Sequence, residues 1–234
     1  MKPIPAPESL AELAYRSLRG SILTGELVPG NTYTENGLAS ALNMSRTPVR
    51  EALQRLAGIG LVTYHRGRGI LVRKYTEEDA RGIFELREAI EGAVMENLAG
   101  GRAQFDSAAA QRMLDAQEKA VNRGDRAEFI VIDRNWHLLL AQCTGNQHLH
   151  RVLHQVRDQL EALGLEALAR PERVKEVLAE HRAIMAALDQ RDVAAAKSAM
   201  LDHLRQTLEA VLEQLYQQSR QARGADPGPS NRSA

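Results

Sequence analysis

At 234 residues, with 44% hydrophobic and 26% charged side chains, the chain is long enough for two modest domains that each bury a core, and its 4% aromatic content points to a mainly α protein. Thirty Lys/Arg balance thirty Asp/Glu, but residues 1–75 hold ten basic against five acidic side chains, which suits nucleic acid, and residues 76–234 hold twenty against twenty-five, which does not. One cysteine, Cys143, excludes an intramolecular disulfide framework; with no signal-peptide core and no window near the roughly 18 apolar residues of a membrane span, a cytoplasmic protein with no membrane partner is expected.

Residues 1–8, with Pro3, Pro5 and Pro7, read as a flexible arm. Ser9-x-x-Glu12 is a capping-box signature, and Leu10, Leu13, Leu18 and Ile22 recur at roughly helical spacing up to Gly25. After a Pro29-Gly30 turn, a second helix near 34–42 presents Leu38, Ala41 and Leu42 to the same core. The break Asn43-Met44-Ser45 leads into a third helix, which is helix-turn-helix spacing. Ser45 is placed to cap that helix, Pro48 fits its first turn, and Arg46 and Arg50, four apart, share a face. Two guanidiniums there suit phosphates or guanine edges, and Thr47 adds a small polar contact. Val49, Leu53 and Leu56 form the buried side, and the helix stops near Gly58–Gly60. Two short β-rich runs, 61–65 and 69–73, then flank Arg66-Gly67-Arg68. A hairpin there is a wing: His65, Arg66 and Arg68 can reach an adjacent groove or backbone, and Gly67 allows close approach.

From Thr76 the pattern changes to long amphipathic helices. Thr76 caps the first, Glu77, Glu78 and Asp79 complement its dipole, and Ile83, Leu86, Ile90, Val94 and Leu98 form its stripe. Five more are expected at 106–122, 125–143, 146–168, 171–189 and 192–219, giving an all-α six-helix bundle. Residues 220–234, rich in Gly, Pro, Ser and Arg, read as a disordered tail. The domains expected are therefore the arm at 1–8, a winged helix-turn-helix at 9–75, the bundle at 76–219 and the tail.

Polar residues interrupt three of the bundle's apolar stripes. Asp133 and His137, four apart, leave the same face as Trp136 and Leu140; His181 lies among Val174, Val177, Leu178, Ile184 and Leu188; His203 lies among Ala196, Met200, Leu204 and Val211. A divalent metal satisfies a carboxylate and three imidazoles that would otherwise be costly to bury. That donor set suits zinc first, with nickel, manganese and iron as alternatives, and leaves positions open on a metal that accepts five or six ligands. A small carboxylate effector can fill them, with Arg87 on the inner side of the first bundle helix as a bidentate partner for its far end. His148, His150 and His154 read as surface residues, and Cys143 as a small core residue.

Leu38-Ala39, the run Ser45-Arg46-Thr47-Pro48-Val49-Arg50-Glu51-Ala52-Leu53, Leu56, Gly60-Leu61-Val62, Arg68-Gly69 and Val72 resemble the winged helix-turn-helix of the GntR family of bacterial transcription regulators. Members usually carry Arg or Gln and then an acidic residue before Leu38; here Asn36-Gly37 stands there, and Asn36 keeps a hydrogen bond to phosphate available. Glu85-Leu86-Arg87 with Glu91, Asp133-x-x-x-His137, Gly145-Asn146, Glu180-His181 and His203-Leu204 resemble the FCD effector domain of the FadR subfamily, its six helices matching the VanR-like branch. The resemblance implies a metal on the aspartate and three histidines, a small organic acid near it, and repression released by that acid. Because one recognition helix and wing cover a half-site, a homodimer on a palindromic double-stranded DNA operator is expected. Two other readings use the same residues: a metal that is structural or is itself the signal, and a metal-dependent hydrolase or lyase, which lacks an obvious general base beside the ligand set.

Overall fold

The structure, a computed structural model, describes residues 8–65, 68–103, 105–164 and 171–224. The architecture is mainly α, an N-terminal winged helix-turn-helix followed by an all-α bundle, as the sequence leads one to expect. The chain divides between Tyr75 and Thr76 into two compact units, with Asp158–Leu163 assigned to the first.

The first unit opens with α1 (Leu10–Leu23), capped by Ser9, whose side chain accepts from the Glu12 amide. Strand β1 (Thr32–Tyr33), α2 (Glu35–Ala41), α3 (Arg46–Gly58), β2 (Val62–His65) and β3 (Gly69–Val72) follow. The core joins Ala14, Leu18 and Ile22 of α1 to Leu38 and Ala39 of α2, Val49, Leu53 and Leu56 of α3, and Ile70 and Val72 of the wing.

The buried faces are rotated from two of the expected ones. On α1 the inward set is Ala14, Leu18 and Ile22, while Leu10 is 56% exposed and Leu13 37%. Leu13 sits a quarter-turn off the Ala14–Leu18–Ile22 line, and Leu10 is the helix's first residue, at the open end. On α2, Ala39 rather than Ala41 joins Leu38 in the core.

The wing carries an extra strand. β1 pairs antiparallel with β3, giving the order β1-β3-β2 with Tyr33 opposite Ile70 and His65 opposite Gly69. Gly69 permits this: its φ is 98°, and a Cβ there would overlap the Tyr33 carbonyl oxygen. Two residues are too short a strand to register as alternation in the sequence.

The rest of the chain forms α4 (Glu77–Ala99), α5 (Ser107–Arg123), α6 (Arg126–Cys143), α7 (Gln147–Gly164), α8 (Pro171–Asp189) and α9 (Val193–Gly224), all in the second unit except Asp158–Leu163 of α7. Thr76 and Asp79 form a reciprocal capping box at the start of α4. Helix α4 packs against α9, α6 and α8, and α5 against α6 and α8. Leu86, expected in the α4 stripe, is 43% exposed, because the face that turns inward holds Phe84, Arg87, Glu91 and Met95 beside Ile83, Ile90 and Val94. Helix α9 runs five residues past Ser219, so 220–224 are helical rather than tail. Gln, Ser, Arg and Ala all continue a helix, and the first strong breaker is Gly224. The expected tail residues 225–234 and arm residues 1–7 lie outside the described residues.

Candidate DNA-binding surface and candidate metal centre

Helix α3 presents Arg46, Thr47 and Arg50 on its exposed side, while Pro48, Val49, Ala52 and Leu53 face the core. Ser45 occupies the N-cap position but makes no side-chain capping bond, so its hydroxyl is not committed to the helix end. Glu35, at the start of α2, holds the arginines: its carboxylate accepts from Arg50 Nε at 3.1 Å and Nη2 at 2.9 Å, and Arg46 Nη2 lies 3.8 Å away. This two-nitrogen grip fixes the guanidinium plane. The sequence reading missed Glu35, although its place fifteen residues before Arg50, across the helix-turn-helix, is the available signal. Asn36 is exposed beside it on α2. In the wing, His65 and Arg68 are exposed, and the Arg68 amide donates to the His65 carbonyl at 3.0 Å. Arg66 and Gly67 lie outside the described residues.

Inside the bundle, Asp133, His137, His181 and His203 converge, all buried. One ligand nitrogen from each histidine lies within 4.8 Å of the others, and no second such group occurs among the described residues. Asp133 Oδ1 stands 3.9 Å from His137 Nε2 and 3.5 Å from His181 Nε2. The expected partner Arg87 is fully buried on α4.

Each ring is oriented by an acceptor behind it. His137 Nδ1 donates to Glu91, His181 Nδ1 to Gln117 Oε1 at 3.0 Å, and His203 Nδ1 to Glu180 Oε2 at 2.7 Å. A carboxylate can only accept, so His137 and His203 each carry a proton on Nδ1, and a neutral His137 ring then has its lone pair on Nε2. Nε2 of His137 and of His181 is buried with no hydrogen-bond partner among the described residues. Trp136 stacks on His181 with ring centres 4.2 Å apart.

The electrostatics favour neutral rings at His137 and His181 beside ionised Asp133 and Glu91. Burial pushes His137 down to about 4, against the pull of Glu91, and burial with His203 nearby lowers His181 well below its ordinary value. Burial would raise Asp133, but Arg157 and the histidines outweigh it and hold the carboxyl far below the usual carboxylate range. Glu91 behaves alike, burial being outweighed by Arg87 and His137. Neutral imidazoles with inward lone pairs beside a carboxylate are what a divalent cation needs, so these residues fit a metal.

Arg87 and Arg157 complete the site. Arg87 Nε donates to Glu91 Oε1 at 2.7 Å, while its Nη1 and Nη2 are buried with no partner. Arg157, buried on α7, donates to Asp133 Oδ2. Glu91 and Glu180 stood out in the sequence only as residues matching the FCD resemblance, without a role, and Gln117 and Arg157 were missed. Elsewhere, His150 and His154 have ring centres 6.4 Å apart, with His148 and His154 exposed, and Cys143 is half-buried.

A winged helix-turn-helix joined to an all-α bundle with a buried polar centre is the build of a DNA-binding regulator. Residues 10–72 match the family described as bacterial regulatory proteins, gntR family, and residues 82–206 match the FCD domain. The uncharacterized HTH-type transcriptional regulator YdhC of Bacillus subtilis is 28% identical over 190 residues, 81% of this chain and 85% of that one. The HTH-type transcriptional repressor RspR of Escherichia coli K12 is 30% identical over 200 residues, 84% and 86% of the two chains. Among solved structures, Escherichia coli McbR/YncC superposes with a TM-score of 0.73 at 23% identity, covering 91% of this chain and 99% of that one, which is a likeness of fold. The chain belongs to the GntR family of bacterial regulatory proteins, with an FCD domain, and is thus a DNA-binding transcriptional regulator. No described helix is long and apolar enough to cross a membrane.

Proposed function

We propose that this regulator is a cytoplasmic homodimeric repressor that leaves a palindromic operator when a small carboxylate binds at a metal in its bundle. The observation that carries the proposal is the pair of buried, unpartnered Nε2 atoms of His137 and His181, each on a ring whose Nδ1 is already held. In this reading the domain of residues 9–75 reads DNA and that of residues 76–219 binds effector and dimerises. Asp133, His137, His181 and His203 hold a divalent cation, zinc before nickel, manganese or iron. Such a cation supplies a Lewis-acidic centre with positions open to a carboxylate oxygen. Arg87 receives the acid's far end through Nη1 and Nη2, and Glu91 keeps Arg87 and His137 in register.

On the DNA side, Arg46, Thr47 and Arg50 meet base edges and phosphates, with Asn36 and Ser45 on the backbone and His65, Arg66, Gly67 and Arg68 of the wing at the adjacent groove. Repression is the mode named for the Escherichia coli relative. The test is a thermal-shift titration of chelator-dialysed protein with zinc, nickel and manganese. One equivalent of zinc is expected to raise the melting temperature, with no rise in His181→Ala or Asp133→Ala; a melting temperature that no cation moves contradicts the metal reading.

A further inference from the structure

We infer that the effector is a dianion, a small dicarboxylate, and that Arg157 as well as Arg87 receives it; this rests on the carboxylate-at-the-metal reading above.

The inference comes from the charges buried around the four candidate ligands. Two guanidiniums, Arg87 and Arg157, face two carboxylates, Glu91 and Asp133, and all four are buried. Arginine stays protonated in proteins, and histidines that ligate a metal are neutral. The neighbouring Arg173 and Glu180 neutralise each other through two hydrogen bonds. Among the described residues these charges at the site therefore cancel, and a divalent cation leaves two positive charges among buried side chains. A monocarboxylate offsets one of them and a dicarboxylate both, and unpaired buried charge is strongly disfavoured.

With the Nε2 atoms of His137 and His181 given to the metal, the unsatisfied atoms that remain beside them have the same sign. Arg87 Nη1 and Nη2 and Trp136 Nε1 are buried donors without partners, so the free donors near the ligands need acceptors. Arg157 is placed to serve because Asp133 divides its two oxygens. Oδ1 faces His137 and His181, and Oδ2 takes Arg157 Nη2, which brings the second guanidinium against the same carboxylate that faces the metal position. Each arginine thus stands on an acid that also touches a candidate ligand: Arg87 on Glu91 beside His137, and Arg157 on Asp133 itself.

Titration calorimetry of zinc-loaded full-length protein with matched acids reads the second carboxylate directly: succinate against butyrate, and malate against 2-hydroxybutyrate. The diacid of each pair is expected to bind about tenfold or more tightly than its partner, because buried donors reject a ligand lacking their acceptor. Arg87→Met and Arg157→Met are each expected to erase most of that preference with zinc stoichiometry unchanged. Equal affinities within each pair for the unsubstituted protein overturn the dianion inference while leaving a carboxylate at the metal intact. An Arg157→Met protein that keeps the full preference overturns the part given to Arg157. If none of the four acids binds, by heat or by melting temperature, both this inference and the effector reading fall.

Discussion

Glu91 is the residue through which the two ends of the bundle site meet, since one oxygen takes Arg87 Nε and the other takes His137 Nδ1. Removing its charge loosens both. Glu91→Gln is expected to weaken zinc binding by about 10–100-fold, measured by competition with a chromogenic chelator, because outer partners of metal-bound histidines carry that much affinity. Unchanged zinc affinity would show that His137 needs no acceptor behind it. On the DNA side, Arg50→Ala is expected to cost about 1–3 kcal/mol of operator affinity and relax discrimination at one base pair, read by fluorescence anisotropy across operator variants. The four candidate ligands were legible because each breaks an apolar stripe, which exposes a polar residue in a core position. Their partners were not. Glu91 and Gln117 lie 46 and 64 residues from the rings they hold, and that pairing depends on how two helices are rotated against each other.

Single elements show where periodicity stops being informative. The starts of the long helices were legible, since Thr76, Asp125 and Asp192 accept from a first-turn amide as their sequence positions suggest; residues 165–168 of the expected fourth helix lie outside the described residues. The inward face of α4 was legible only in part: Arg87 was placed on its inner side, but counting apolar residues put Leu86 inside as well and gave Glu91, its buried partner, no place there. Strand β1 was missed because its two residues gain their place from β3, and that pairing depends on Gly69. Gly69→Ala is expected to destabilise the first unit by about 1–3 kcal/mol, from a positive φ forced on a side chain and from overlap with Tyr33. Chemical denaturation followed at the first unit measures this. A shift within a few tenths of a kcal/mol would mean that β1 gives way without cost.

For the whole molecule, the charge asymmetry of the halves pointed the basic segment toward nucleic acid, the helix-turn-helix spacing gave it a recognition helix, and the interrupted apolar stripes marked the polar centre of the acidic segment. In the proposed function, effector binding in the bundle acts on operator affinity through a coupling free energy, about 1–3 kcal/mol in typical allosteric proteins, or roughly 5–150-fold. A dimer is required for that coupling to act on paired half-sites. Sedimentation of the metal-loaded protein is expected to give twice the 25.8 kDa chain mass, and a monomer bound to a full operator would contradict it. The most direct test is fluorescence anisotropy of zinc-loaded protein on its operator, with and without a diacid that calorimetry has shown to bind. The acid is expected to weaken DNA binding by about 5–150-fold, and His181→Ala to abolish the response. Operator affinity that is unchanged while the acid is bound at saturation would contradict it.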